Sequence, residues 1–302
     1  MKILSFGSCN IDLVYRVEHI VKKGETVAAS SVGKYPGGKG LNQSIAIARA
    51  GAEVWHAGCI GDDGEFLLDN MKQSGVCTEL VRRVDDSTGQ AFIQVSDSGE
   101  NSIVIYHGAN YRVSREYIDE VLEHFEANDI LVLQNEISEI VYLIDRAFEK
   151  GMRIVLNPSP FDRTMREIDL KKIFCLVVNE IEAAEYSGKE GIEQFADFLK
   201  SKYPELLAVM TIGSKGSVCF AGERRIYQPS FDVTAVDTTA AGDTFTGYLV
   251  AALSLEKDLS EAMKTASLAA AISVSRAGAA SSIPLAKEVE AQKSNLKEKS
   301  DE

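Results

Sequence analysis

"DILVLQNEISEIVYLIDRAFEKGMRIVLNPSP", Asp129–Pro160, decides how this chain folds. "DILVLQN" and "RIVLNPSP" are strand-like apolar runs, and "EIVYLIDRAFEKG" between them carries a helical pattern. Strand, helix and strand in that order form the unit that joins parallel strands through a crossover helix. The rhythm continues outward in both directions. Upstream stand "KILSF", helical "LNQSIAIARAGA", strand "EVWHAGCIG" and helical "EFLLDNMKQSG". Downstream come "CLVVNEIEAAEY", helical "IEQFADFLKSKY" and strand "LLAVMTIGSKG". The final third turns helical with "GDTFTGYLVAALS" and "SEAMKTASLAAAISVSRAG".

Two regions interrupt the rhythm. "NIDLVYRVEHIVKKGETVAASSVGKY" and "ELVRRVDDSTGQAFIQVSDSGENSIVIYHGAN" read as short strands and hairpins, the second turning at "DSGE". They are either a β-sheet lid, from segments near 11–35 and 80–108, or edge strands of the main sheet. "AFIQVS" and "SIVIYHG" are apolar on both faces. They pair across a two-fold axis to make a homodimer, or else pack within one chain. The charged tail after Pro284 is expected to fray.

The 302 residues suffice for one large α/β domain, or one domain with a small appendage. Hydrophobic content of 45% and charged content of 25% allow a full core. A net charge of −13 argues against a nucleic-acid partner, whose affinity comes mainly from Lys and Arg. It does not exclude a small anion held by local geometry. Five scattered cysteines without a C-x-x-C pair fit a reduced cytosol, and four lone histidines offer no transition-metal motif. No apolar stretch approaches membrane-span length, and the N-terminus is too short for a signal segment, so the expected location is the cytoplasm.

Candidate chemistry gathers at a few loops. In "TTAAGDTFTG", Thr238–Gly247, either Asp243 caps a helix, or Ala240, Ala241 and Gly242 leave backbone N–H groups open to an anion with that carboxylate alongside. "GKYPGGKGLNQS", Gly33–Ser44, matches seven positions of the phosphate-loop pattern, but Gly40 stands where Ser or Thr must ligate magnesium. Its glycines still permit close backbone approach at the mouth of a helix starting near Leu41, with Asn42 one turn in. The alternative is a plain Gly-rich loop.

"GSCNID" puts Asn10 and Asp12 on one side of extended chain, suited to neighbouring hydroxyls, or else to an Asx turn. Glu136 lies just past a strand's carboxyl end, where open α/β sheets bind ligands, or it is a first-turn helix acid. Asn179 and Glu182 in "NEIE" share a helix face as a capping box or as a water-mediated magnesium site. "TIGSKGS", Thr211–Ser217, borders phosphates and a base, or is a hairpin turn.

"GGKGLNQSIAIARAGAEVWHAGCIGDDGEF" and "DTTAAGDTFTGYL" resemble the two signatures of the ribokinase-like (PfkB) carbohydrate kinase family. "STG", "GAN", "LNPSP" and "NEIE" follow in order between them, and the similarity spans about residues 3–285. The resemblance implies a single kinase domain over 1–302, a three-layer α/β/α sandwich with a mostly parallel sheet and a small β-sheet lid. It further implies ATP as donor, Mg²⁺ as cofactor and a sugar acceptor, D-ribose first. Fructose, deoxyribose, a keto-deoxy sugar acid, a nucleoside or a silent sugar-binding regulator are the alternatives.

By the same resemblance Asp243 is the catalytic base, and the Ala240–Gly242 backbone is the anion hole. Sugar contacts fall to Asn10, Asp12, Gly38, Lys39, Asn42 and Glu136. Nucleotide contacts fall to Asn179, Thr211, Ile212, Gly213, Ser214, Lys215, Gly216, Gly242 and Ser267. Asn179 and Glu182 stand near magnesium. A monovalent cation, usually potassium, is implied beside Asp237, Thr239, Ser273, Arg276, Gly278 and Ser282.

Overall fold

The computed structural model describes residues 1–299. Thirteen strands run through them: β1 (Ile3–Phe6), β2 (Asn10–Val17), β3 (Ser31–Gly37), β4 (Val54–Ile60), β5 (Cys77–Arg83), β6 (Gly89–Ser96), β7 (Asn101–Tyr106), β8 (Ile130–Gln134), β9 (Arg153–Asn157), β10 (Cys175–Asn179), β11 (Leu207–Thr211), β12 (Gly216–Ala221) and β13 (Arg224–Pro229). The α-helices are α1 (Lys39–Arg49), α2 (Glu65–Gln73), α3 (Arg115–Leu122), α4 (Ile140–Glu149), α5 (Arg163–Glu167), α6 (Glu180–Ser187), α7 (Ile192–Lys202), α8 (Ala241–Ser254), α9 (Leu259–Val274) and α10 (Ala286–Gln292).

Nine strands form one sheet in the order β13-β12-β11-β10-β9-β8-β1-β4-β5. All pair in parallel except β12 and β13, which add an antiparallel edge. The continuous apolar runs are explained by burial on both faces. In β8, Ile130 and Val132 join one core with α1, α8 and α9, while Leu131 and Leu133 join the other with α3, α4 and α7. Each such side chain contributes roughly 1.5–3 kcal/mol on burial. The result is the expected three-layer α/β/α sandwich.

The chain lays β4 and β5 to one side of β1, then returns to place β8 and its successors on the other. This reversal opens a crevice at the carboxyl ends of β1 and β8, where open α/β sheets take their ligands.

β2, β3, β6 and β7 make a separate four-stranded sheet in the order β3-β2-β6-β7. Residues 11–35 lie in it or between its strands. The segment 80–108 is divided: residues through Arg83 close the edge of the large sheet as β5, and the chain enters the small sheet only at Gly89. Only Gly7, Ser8 and Cys9 separate β1 from β2, so the small sheet springs directly from the crevice.

The tail does not fray where expected. Val289 on α10 is buried and Leu296 packs against the same core. Asp232 N donates to Lys297 O at 2.9 Å, Lys299 N donates to Ser230 O at 2.8 Å, and Lys264 pairs with Glu298 at 2.8 Å. The apolar spacing inside a charged stretch supplies this docking. Residues 300–302 of that tail lie outside the described residues. Among the described residues no helix is long and apolar enough to cross a membrane.

Candidate active site

The N-terminus of α1 butts against the end of β1. A Cβ on Gly40 would lie only 2.5–2.6 Å from the Gly7 backbone, so the approach needs glycine. Leu41 N donates to Ser8 O at 2.9 Å, and Gly38 makes the turn with a φ of 94°. Glu136, from the loop after β8, accepts from Lys39 N at 3.0 Å and from the Ser8 hydroxyl. It belongs to no helix of its own; it holds the first turn of α1, where a carboxylate favours the positive end of the helix.

Asp243 is the third residue of α8 and does not cap it. The cap is Ala240, left-handed at φ 59° and without a side-chain hydrogen bond. The Asp243 carboxylate instead accepts from Asn42 Nδ2 and Gln43 Nε2, each at 3.0 Å. Of the N–H groups expected to cradle an anion, that of Ala241 donates to Thr238 O at 3.3 Å. Those of Ala240 and Gly242, with that of Asp243, have no acceptor among the described residues. Nothing lies within 4 Å of where a Gly242 side chain would begin, so this surface is open.

On the small-sheet side, Asn10 accepts through Oδ1 from Asn110 Nδ2 at 2.8 Å, and Asn110 Oδ1 accepts from Cys9 N at 3.0 Å. The Asn10 oxygen is thereby engaged, leaving its NH₂ as the group to offer. Asp12 packs over Gly37, where any side chain would collide with the carboxylate. Burial, then the carboxylates of Glu136 and Asp243, push the Asp12 carboxyl up to about 7. For Lys39, burial works against the charged form, but Asp243, Glu136 and Glu182 outweigh it and raise the ammonium. Asn42 Oδ1 is buried without a partner.

On the other side of Asp243 a polar cavity of about 190 Å³ is lined by Lys39, Asn157, Asn179, Glu182 and the Ala240–Gly242 turn. It adjoins, through Asn179, Thr211, Ala241 and Gly242, an apolar cleft of about 550 Å³. Val233, Ala235, Phe245, Ala270 and Val274 wall the cleft, with Gly213, Ser214, Gly216 and Ser267 at its edge. Two expected residues stand apart: Ile212 is buried in the core, and Lys215, whose carbonyl accepts from Tyr227 OH at 2.7 Å, does not line the cleft.

Asn179 and Glu182 form a full capping box at 2.9 and 3.0 Å. The capping reading holds, and Glu182, which bonds the cap through Oε2, also lines the cavity wall with its other oxygen unengaged. That suits a cation that retains its waters and takes few protein carboxylates.

The six residues expected around a monovalent cation fall into three sets. Asp237 accepts from Thr239 N at 2.9 Å, from Thr239 Oγ1 at 2.6 Å and from Gly278 N at 2.9 Å. Ser273 and Ser282 share a buried hydroxyl pair at 2.7 Å. Arg276 reaches away to Glu288 at 2.7 Å, so only its main chain is left to face the others.

The sequence profile described as pfkB family carbohydrate kinase matches residues 1–286. The chain belongs to that family. Ribokinase of Haemophilus influenzae is 39% identical over 292 residues, covering 93% of this chain and 95% of that protein. Among solved structures, ribokinase from Cryptococcus neoformans in complex with ADP is 34% identical with a TM-score of 0.84, over 96% of this chain and 99% of that one. Arabidopsis thaliana ribokinase complexed with ribose and ATP is 29% identical with a TM-score of 0.83, over 96% and 97%.

Four polar residues of this pfkB-family site escaped the sequence reading: Ser8, Gln43, Asn110 and Asn157. Asn157 had a usable signal, since it ends β9 as Glu136 follows β8. Gln43 adjoins Asn42 and was hidden by the helical pattern. Asn110 ends the "GAN" motif, but it lies about 100 residues from its partners Cys9 and Asn10, so no local pattern gave it a role.

Proposed function

We propose that this chain transfers the γ-phosphoryl of ATP to the primary hydroxyl of D-ribose, giving ribose 5-phosphate and ADP. One observation carries the reading: Asp243 sits beside the free N–H groups at the start of α8, where the polar cavity meets the apolar cleft. The apolar cleft suits a nucleotide base, with its phosphates directed into the polar cavity. Asn10, Asp12, Asn42 and Glu136 gather on the opposite side of the acid and present donors and acceptors to sugar hydroxyls.

Phosphoryl transfer passes through a loose transition state, so positioning and charge stabilisation supply most of the catalysis. The amides of Ala240 and Gly242 face the oxygens of the migrating group. Lys39 adds a positive charge on the same cavity wall. As the hydroxyl oxygen bonds to phosphorus and the bond to ADP breaks, Asp243 takes the hydroxyl proton and later releases it to water. Magnesium, held through water by Glu182 and Asn179, would supply charge neutralisation on the phosphates. A monovalent cation near Asp237 would brace the turn that carries the amides.

The small sheet acts as a lid that excludes water, and it pairs two chains. β7 is an edge strand whose neighbouring residues Ile103 and Val104 point to opposite faces, yet both are more than half exposed. Ile105, Tyr106, Phe92 and Tyr35 extend the patch, which a second copy would cover. The cytoplasm is the compartment that fits its reduced, unpaired cysteines.

An ATP-coupled screen of ribose, deoxyribose, fructose and nucleosides tests the reading. Ribose is expected to give the highest kcat/KM, and an inert ribose would sink it. Asp243→Asn should lower kcat by roughly 10²–10⁴-fold in a folded protein.

A further inference from the structure

Gln43 has no part in the steps above, yet its amide is engaged on every side. Asn157 Nδ2 donates to the Val177 backbone carbonyl at 2.9 Å, which turns the Asn157 oxygen toward Gln43 Nε2 at 3.4 Å. Gln43 therefore directs its NH₂ to Asn157 and to Asp243 Oδ1, the latter at 3.0 Å. Its own Oε1 is left to accept from Gln134 Nε2 at 2.7 Å. A fixed backbone carbonyl thus sets the orientation of the amide that grips the acid.

Gln43 and Gln134 are both wholly buried, and Gln134 Oε1 has no partner. Buried amides cost stability unless satisfied, and an apolar pair would fill the same space without that cost. Stability therefore does not account for them. Asn42, on the other oxygen of Asp243, differs in kind. Its Nδ2 donates to Oδ2, but its own Oδ1 is buried and unpartnered, so nothing else ties the amide down.

We infer that Gln43, oriented by Asn157 and Gln134, is a positioning residue that pins Oδ1 of Asp243. Oδ2 is then the oxygen that receives the hydroxyl proton once Asn42 turns to the sugar. The inference rests on the phosphoryl-transfer reading. The charged groups facing Asp243 are Asp12 on β2, Lys39 on α1, Glu136 beyond β8 and Glu182 on α6, and all are retained in the test.

Gln43→Met keeps the side chain's length while removing its donors. It should lower kcat by about 10- to 100-fold, the size of one hydrogen bond to a charged group, with both KM values held. Gln134→Met does not touch Asp243 and should give the same signature at smaller size, which guards against Gln43→Met failing to fold. Wild-type kcat in both variants, or a change carried by KM, would overturn the inference. Wild-type protein inert on ribose, or an undiminished Asp243→Asn, would sink the underlying reading instead.

Discussion

Gly247→Ala tests how the fold holds Asp243, the proposed catalytic base. Gly247 lies one helical turn beyond Asp243 and faces α1. An added Cβ would overlap the Cβ of Ala46 and lie 3.0 Å from Gln43 O and Ile47 N. The overlap with Ala46 falls about 1 Å short of ordinary van der Waals contact. Neither neighbour can swing aside, since one is a methyl group and the others are backbone. The two helices must part by about that distance. Asn42 and Gln43 ride on α1 and Asp243 on α8, with both hydrogen bonds at 3.0 Å. Parting carries them toward about 4 Å, beyond hydrogen-bond range. A displacement of this size costs on the order of 10²-fold in rate. Overpacking adds roughly 1–3 kcal/mol of destabilisation, a fall in Tm of about 2–10 °C. Steady-state kcat with ATP and ribose, beside a thermal melt, reads both effects. Wild-type kcat with an unshifted Tm would refute close helix packing as the device that aims the acid.

Three further outcomes follow from the same geometry. Asp12, with its carboxyl near 7, accepts sugar hydroxyls fully only when ionised, so KM for ribose should rise as pH falls below about 7. Asp12→Asn should flatten that dependence, and a flat wild-type profile between about pH 6 and 8 would contradict it. The folded carboxyl sits well above the ordinary aspartate value of about 3.8, so the native state binds the extra proton and stability falls as pH rises from there to about 7. Replacing potassium by tetramethylammonium should lower kcat while leaving the melting temperature in place, and unchanged kcat would remove the cation from the site. Val104→Lys on the exposed edge strand should convert a dimer to a monomer by light scattering, and a wild-type monomer at micromolar concentration would dispose of the pairing.

The fold was legible because its signal is local. Buried parallel strands are apolar at every position, and crossover helices repeat their pattern within one segment, so Asp129–Pro160 reads correctly unaided. The small sheet was visible as a break in that rhythm, but its second boundary was not. β5 and β6 are both short and β-rich, and only pairing partners distinguish a large-sheet edge from a separate sheet. The tail failed for a related reason: its charges dominate the composition, while its docking uses two apolar residues, Val289 and Leu296, and hydrogen bonds to Ser230 and Asp232 far away in sequence. Within the site, residues at strand ends and helix starts could be nominated singly. Local pattern could not join them, since Asn42 and Gln43 meet Asp243 across about 200 residues; only the family resemblance placed Asn42 and Asp243 in one site.

That joining resolves a conflict built into the loop before α8. An acid at the third position of a helix ordinarily turns back to bond the free N–H at the cap, as Glu182 does to Asn179. Had Asp243 done the same, its carboxylate would occupy the Ala240 amide, one of the two proposed to face the phosphoryl group. The side-chain amides of α1 draw it the other way, leaving the N–H groups of Ala240 and Gly242 free. The surrounding field makes this separation matter. Asp243, Glu136 and Glu182 crowd one ammonium, Lys39, and Asp12 lies beside Glu136 and Asp243, in a chain that is already strongly acidic. In the proposed mechanism, attraction for a triphosphate therefore comes from oriented amides, Lys39 and the proposed cation rather than from bulk charge. An acidic protein can hold ATP on those terms only if the Asp243 carboxylate is kept off the amides.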